Sequence, residues 1–296
     1  ALVLALESGG VRIYHADTGH TCLVNNGFPS PAPGVFELAH RQVGGADWWF
    51  ASTYEGVVPP DSDNFFYDGP GSIYRARDII SQGESATWEL IYTSSSHRAI
   101  AISLSSSGEL LALLSNGELL YTPDFTAESL SWTRIKLVLP GEAMRFTDLE
   151  VDWGARAVFV STFGLGVLYA SLDELLSHPS GAELQEMNEG LMTVNVRNLL
   201  LVEGEEETYL FAGTQGYSVW RLVLELERPG QGGGEGEQPQ PGPSPQPTGP
   251  TGLPISIELM VGSAVAAGCA GVVAWALWRR KKRQSWPRAP PWRSNP

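Results

Sequence analysis

The sequence predicts an all-β protein, a β-propeller of four-stranded blades with about five blades visible, the first and last of them incomplete. One phrase recurs five times: a short apolar strand, a Gly turn and a second strand ending in an aromatic residue. The closing aromatics are Tyr14, Tyr74, Tyr121, Tyr169 and Trp220. They lie roughly 50 residues apart, a period typical of propeller blades. Serial α/β units would need helical patterns between the strands, and none of the required length is present.

Each phrase extends into further strands on both sides. An apolar stretch precedes four of the five copies and predicts an inner strand: residues 34–40, 99–105, 146–152 and 196–202. A predicted outer strand follows four copies: residues 21–27, 87–93, 131–137 and 182–190. The first repeat has no inner strand before Leu2, and the last has no outer strand before the Pro/Gly-rich segment. We therefore expect either an N-terminally truncated piece of a larger propeller or an imperfect closure with five blades.

Composition divides the chain into four parts: the propeller ectodomain at 1–228, a disordered Pro/Gly-rich stalk at 229–254, a transmembrane helix at 255–278 and a basic cytoplasmic tail at 279–296. Leu259 to Trp278 carry no charge, and a helix of that length matches the hydrocarbon core of a bilayer. A stop-transfer cluster follows at once: Arg279, Arg280, Lys281, Lys282 and Arg283. The positive-inside rule then places the N-terminal domain outside the cell membrane and the C-terminus in the cytoplasm.

Two further patterns bear on this anchor. Small residues recur every fourth position, from Gly262 through Ala266 and Ala270 to Ala274, which favours close helix approach and a weak homodimer. An alternative, a Gram-positive wall-sorting signal, requires a Thr-Gly pair that is missing after Leu253-Pro254-Ile255. A permanent single-pass anchor is the interpretation that we favour.

Charge and cysteine content exclude several classes of function. The chain has a net charge of −14, and all 33 acidic residues precede Leu259. An acidic domain repels nucleic acid, so DNA or RNA binding is not expected. The two cysteines, Cys22 and Cys269, cannot form a disulfide framework. No phosphate-binding loop, Cys-x-x-Cys or zinc motif occurs, so we predict no cofactor.

One turn carries a family resemblance. Asp17, Gly19 and Thr21 fit the D-x-G-x-T core of the Asp-box, with Cys22 in place of the usual Trp, and a degenerate copy spans 81–88. Over about residues 1–225 the chain resembles the BNR-type repeats of sialidase-like propellers. The resemblance implies structural roles for the three box residues, at the periphery of the fold. Sialidases also use an arginine triad, but no arginine-motif strand is visible, and Arg98, Arg145, Arg156 and Arg197 are scattered. We therefore assign no catalytic residue.

The insertion at 57–70 is the first choice for a functional loop. Its carboxylates Asp61, Asp63 and Asp68 are candidates for a Ca²⁺ site. Aromatic side chains in and beside it are the candidates for binding a partner or sugar: Phe65, Phe66, Tyr67, Trp48 and Trp49.

Two functions remain open from the sequence. The favoured hypothesis is a membrane-tethered extracytoplasmic module without enzymatic activity, which binds or scaffolds a protein or glycan partner. The alternative is a tethered glycoside hydrolase of the sialidase-like kind, or a lyase, with its catalytic part outside this chain.

Overall fold

The structure is a computed structural model that describes residues 1–55, 69–204, 207–216 and 218–224, together with the backbone of 255–258. It is nearly all β, as the sequence predicts. Five sheets follow one another along the chain. Within these sheets, all but one of the pairings between named strands are antiparallel. The helices in this part are short: α1 (Ile79–Gln82), a 3₁₀ turn (Gly83–Ser85) and α2 (Leu172–Ser177).

The first two sheets are built from consecutive strands. Sheet 1 contains β1 (Leu2–Ala5), β2 (Val11–His15) and β3 (His20–Leu23). Sheet 2 contains β4 (Gly34–Val43), β5 (Ala46–Tyr54), β6 (Gly71–Arg77) and β7 (Glu89–Ser94).

The segment that follows α2 adds a short outer strand first to sheet 3 and then to sheet 4. Sheet 3 contains β8 (Ala99–Leu104), β9 (Leu110–Leu114), β10 (Glu118–Thr122) and β11 (Thr133–Val138). Sheet 4 contains β12 (Arg145–Asp152), β13 (Ala157–Phe163) and β14 (Gly166–Ser171). After α2 the chain adds β15 (Ala182–Glu183) parallel to β11 and then β16 (Gln185–Glu186) antiparallel to β14. The predicted outer strand at 182–190 is thus two short strands in neighbouring sheets.

Sheet 5 corrects one prediction. It contains β17 (Val196–Glu203), β18 (Thr208–Thr214), β19 (Ser218–Leu224) and β20 (Ile255–Glu258). The last repeat therefore has an outer strand, which comes from beyond the Pro/Gly-rich segment. Sequence reasoning missed it because the strand is separated from β19 by 30 residues of very different composition.

Successive sheets pack face to face through apolar side chains. Separate buried clusters join sheet 1 to 2, 2 to 3, 3 to 4 and 4 to 5. The inner strands are neighbours in the same order, with β4 beside β8, β8 beside β12 and β12 beside β17. This radial stacking of antiparallel sheets is a β-propeller.

The inner strands share one irregularity. Each is interrupted by a β-bulge near its start, at Phe36, Ile100, Thr147 and Arg197. The bulge puts Glu37, Ala101, Asp148 and Asn198 at equivalent positions. A bulge changes the direction of the side chains that follow it. These four residues are the first in each inner strand after that change.

The two ends of the row of sheets are uncovered. Among the described residues, sheet 1 has three strands and none that pairs with the inner side of β1. Apolar side chains are exposed on it at Leu2 and Leu23, and on sheet 5 at Leu200, Val202 and Val219. In sheets 2 and 3 the exposed apolar side chains, Leu90 and Val138, are on the outer strands β7 and β11.

The predicted membrane segment lies almost wholly outside the described residues. The first four residues of the range 255–278 form β20, so a helix in this range would begin no earlier than Leu259. No helix in the described part has the length and hydropathy needed to cross a bilayer. The stalk at 229–254, the stop-transfer cluster and the tail are likewise outside that part.

Candidate functional site

A central cavity of about 270 Å³ lies where four inner strands converge. Sheets 2, 3, 4 and 5 each contribute residues from β4, β8, β12 (with the turn that follows it) or β17. The lining residues are Ala39, His40, Arg41, Ile102, Ser103, Leu104, Glu150, Val151, Trp153, Leu201 and Glu203. Its volume is near the lower end of the range for small-ligand sites. We refer to this space as the central cavity.

Three carboxylates, here called the inner carboxylates, follow the bulges: Glu37 on β4, and Asp148 and Glu150 on β12. Each is partly exposed. Burial nevertheless dominates the electrostatics of all three, because protein atoms surround them at the centre of the fold. Glu150 reaches the central cavity, whereas Glu37 and Asp148 lie nearer the start of their strands.

The inner carboxylates hold protons more tightly than ordinary acids. Burial raises the pKa of Asp148 to about 6, and hydrogen bonds from two backbone N–H groups oppose this rise. Burial and then the charge of Asp148 raise the pKa of Glu150 to about 7. Burial, with repulsion from Asp148, also raises the pKa of Glu37 well above its usual range. Near neutral pH the cluster therefore shares protons, so Glu150 can both donate and accept one.

The same carboxylates join each inner strand to the next sheet. Ile102 N–H on β8 donates to Glu37 at 3.3 Å, and Leu199 N–H on β17 donates to Asp148 at 2.8 Å. Glu150 accepts a backbone hydrogen bond from Leu201. These bonds satisfy N–H groups at strand edges that have no further strand beside them. They also hold the carboxylates in fixed positions.

Trp153 is fixed at the cavity wall by a bond between sheets. Its indole N–H donates to the Ser103 hydroxyl at 3.1 Å. The side chain is half-buried and packs against the apolar cluster between sheets 3 and 4. An aromatic ring held in this way offers a rigid apolar surface to a ligand. Glu203, on β17, is exposed at the same cavity.

The sequence-predicted aromatic residues lie elsewhere. Trp48 is buried, with 7% of its surface exposed, and lines a separate cavity of about 340 Å³ together with Arg75 and Glu89. The Arg75 and Arg77 guanidinium carbons lie 5.5 and 5.3 Å from its ring centroid and cover it. Trp49 is half-buried, its ring centroid 4.4 Å from that of His40. Neither residue lines the central cavity.

The candidate loop at 57–70 is described only at its last two residues, 69 and 70. Phe65, Phe66 and Tyr67, and the Ca²⁺ candidates Asp61, Asp63 and Asp68, all lie outside the described residues. Within the described part, no group of three His, Cys, Asp or Glu side chains has the arrangement of a metal site.

The predicted Asp-box turn joins β2 to β3. Gly19 has a φ of 68°, which glycine tolerates, and donates its N–H to His15 O at 2.8 Å. Asp17 and Thr21 are exposed, and Thr21 faces Arg12 across a long contact of 3.5 Å. The tryptophan of the degenerate copy, Trp88, packs between sheets 1 and 2 and donates to Val24 O at 2.7 Å.

The arginines near the inner strands have structural contacts. The guanidinium carbon of Arg98 lies 4.1 Å from the Phe36 ring centroid, and that of Arg197 lies 5.7 Å from the Phe163 centroid. Arg156 pairs with Asp173 at 2.6 Å and with Glu109 at 3.2 Å. None of these arginines lines the central cavity.

Sequence reasoning missed Glu37, Asp148, Glu150 and Glu203. One signal was available: acidic residues interrupt predicted inner strands, as in the stretch FTDLEVD, where alternation would place charge beside buried apolar residues. A charge inside a buried strand is costly unless it is paired or useful.

No family model matches the sequence, and no curated protein matches it. Solved structures do. A mutant of the GH43 protein BlXynB from Bacillus licheniformis has a TM-score of 0.43 and 12% identity, over 75% of this chain and 50% of that chain. A mutant of the Cellvibrio cellulosa alpha-L-arabinanase has a TM-score of 0.39 and 12% identity, over 67% and 76%. The chain thus corresponds to half the length of the first structure. Likeness at this level carries no functional argument, so function must be argued from the central cavity.

Proposed function

We propose that the central cavity binds a glycan and hydrolyses a glycosidic bond, with Glu150 as the proton donor. The observation that carries this proposal is a carboxyl group with a pKa raised to about 7, mainly by burial, at the wall of an accessible cavity. A general acid works best when its pKa lies near the working pH. This proposal keeps the alternative function of the sequence analysis, glycoside hydrolysis, but differs from it in assigning the general acid to a residue of this chain, Glu150.

The second carboxylate that hydrolysis needs is Glu203. It lines the same cavity from β17, next to β12, and is exposed to solvent. Two carboxyl groups in contrasting environments are the arrangement that glycoside hydrolysis requires. In this proposal Glu150 protonates the leaving oxygen while Glu203 acts as nucleophile or activates water. Trp153 supplies an apolar surface for a sugar ring.

A panel of chromogenic glycosides and unlabelled oligosaccharides, offered to the purified chain, tests the proposal. We expect turnover that is lost by at least about 100-fold in Glu150→Gln. Since Glu150 must be protonated, kcat/KM should fall as pH rises above about 7. Glu186→Gln, at an exposed carboxylate on β16 outside the cavity, is the matched control and should keep full activity. Equal activity in Glu150→Gln and the unmodified chain would contradict the proposal.

The second candidate is glycan or protein binding without turnover, the function that the sequence analysis favours. One observation supports it: Glu37 and Asp148 accept backbone N–H groups, which is a structural use of carboxylates. A glycan array followed by calorimetry separates the two candidates. Binding without turnover, unchanged in Glu150→Gln, would favour this second function.

We also propose display of the propeller outside the cell membrane through the apolar segment 259–278, the interpretation of the sequence analysis. Its support is the uncharged run and the basic cluster from Arg279 to Arg283. Release of the full chain from membranes by alkaline carbonate would overturn it. Protease digestion of the propeller on intact cells is the expected result.

A further inference from the structure

A second cavity, here called the lateral cavity, lies beside sheet 2. It has a volume of about 340 Å³, which is within the range for small-ligand sites. One part of its wall belongs to β5 and β6, with Trp48, Arg75 and Arg77. Another part belongs to the segment between β10 and β11, with Thr126 and Glu128. No described residue lines both the lateral and the central cavity.

A buried arginine fixes the wall of the lateral cavity. Arg75 is 4% exposed, and its Nη1 donates to Phe125 O at 2.6 Å and to Ala127 O at 2.7 Å. Its Nε donates to the Glu89 carboxylate at 2.7 Å. The charge of Arg75 is thus balanced within the fold, and its bonds hold the segment that carries Glu128. A wall held in this way binds a ligand without first having to be ordered.

Arg77 and Glu128 are the two lining charges that the fold does not use. Both are exposed, and among the described residues neither side chain forms an ion pair or a hydrogen bond. Arg77 is nevertheless oriented, because Trp48 is its direct neighbour across the sheet and its guanidinium carbon lies 5.3 Å from that ring centroid. The lateral cavity therefore offers one cation and one anion to a ligand.

The balance of charges indicates the class of ligand. Arg75 and Arg77 are matched by Glu89 and Glu128, so the lining as a whole is neutral and favours neither a simple anion nor a simple cation. A ligand that carries both charges can pair with Arg77 and Glu128 at the same time. The uncharged polar residues of the lining are Gln82, Thr87 and Thr126.

We propose that the lateral cavity binds a free α-amino acid with a polar, uncharged side chain. The guanidinium of Arg77 binds its carboxylate, a pairing that suits the planar fork of donors. Glu128 binds its ammonium group, and the amide and hydroxyl groups of the lining bind its side chain. This site is independent of the acid–base chemistry proposed for the central cavity.

L-Glutamine is the probe, titrated into the purified full chain by calorimetry. Two analogues each lack one of the charges: L-glutaminamide has no carboxylate, and N-acetyl-L-glutamine has no ammonium group. We expect each analogue to bind at least about 10-fold more weakly than L-glutamine, because each leaves one charge of the cavity without its partner. Absence of L-glutamine binding, or equally tight binding of either analogue, would overturn the proposal.

Two variants of the chain locate the site. Arg77→Gln should lower the affinity for L-glutamine at least about 10-fold and abolish the preference over L-glutaminamide. Glu128→Gln should lower it to a similar extent and abolish the preference over N-acetyl-L-glutamine. Lys136→Gln, at an exposed cation on β11 outside the cavity, is the control and should bind as the unmodified chain does. If Arg77→Gln does not fold, the two analogues and the unmodified chain decide the question. Preferences that persist in both variants would refute the assignment.

Discussion

β8 and β12 are equivalent strands in neighbouring sheets, yet the faces that they turn to the next sheet differ in chemistry. Towards the preceding sheet both are apolar, with Ile102 and Leu104 on β8 and Leu149 and Val151 on β12. Towards the next sheet the residues at matching positions are Ala101 and Ser103 on β8 with Ser105 directly after it, and Asp148, Glu150 and Asp152 on β12.

This difference separates folding from function. The apolar face recurs because every blade must bury it against its neighbour. The other face is constrained less strongly near the centre of the fold, where side chains meet a cavity instead of a close-packed interface. Carboxylates can be kept there because strand-edge N–H groups bind them. The repeat thus decides where the side chains lie, and the choice of residue decides what they do.

The largest expected effect on stability is on the apolar face. Leu149→Ala should lower the free energy of unfolding by about 3 kcal/mol, because it leaves a cavity in the cluster between sheets 3 and 4. Leu200→Ala is the matched control, since Leu200 is 45% exposed. It should change stability by less than about 0.5 kcal/mol. Urea denaturation of both variants measures the contrast, and equal losses would show that the two faces are not distinct.

A smaller effect is expected from protonation of the inner carboxylates. The folded state binds protons more tightly than the unfolded chain, so their contribution to stability is complete below about pH 4 and is lost as pH rises through 6 to 7. Unfolding at pH 5 should therefore cost about 2 kcal/mol more than at pH 8. Asp148→Asn should flatten this dependence while still accepting the Leu199 N–H. A dependence of the opposite sign between pH 5 and 8 would contradict the raised pKa values.

The smallest effect is expected for the hydrogen bond between Trp153, which directly follows β12, and Ser103 on β8. Ser103→Ala removes the acceptor of the Trp153 indole N–H and should cost about 1 kcal/mol. It should also weaken glycan binding more than Ser177→Ala does, because Ser177 lies at the exposed end of α2. Calorimetric unfolding and ligand titration check both parts. Unchanged binding in Ser103→Ala would remove Trp153 from the site.

Much of the fold could be predicted because its signals are local. The strand-turn-aromatic phrase and its period predicted five sheets. The apolar stretches before four of the five phrases predicted the inner strands, for example residues 99–105 and 146–152. The outer strand β20 could not be found, since its pairing with β19 depends on contact between segments far apart in sequence. Burial of Trp48 was missed for the same reason: the two arginines that cover it are on β6.

The sequence by itself determined the all-β class and the repeat, because hydrophobic alternation and turn residues act over short distances. Only the tertiary structure decided the site. Glu37, Asp148, Glu150 and Glu203 come from three strands, and their convergence depends on bulge position and the stacking of successive sheets. Burial at that convergence, which no short stretch of sequence contains, is what raises the pKa of Glu150 to about 7.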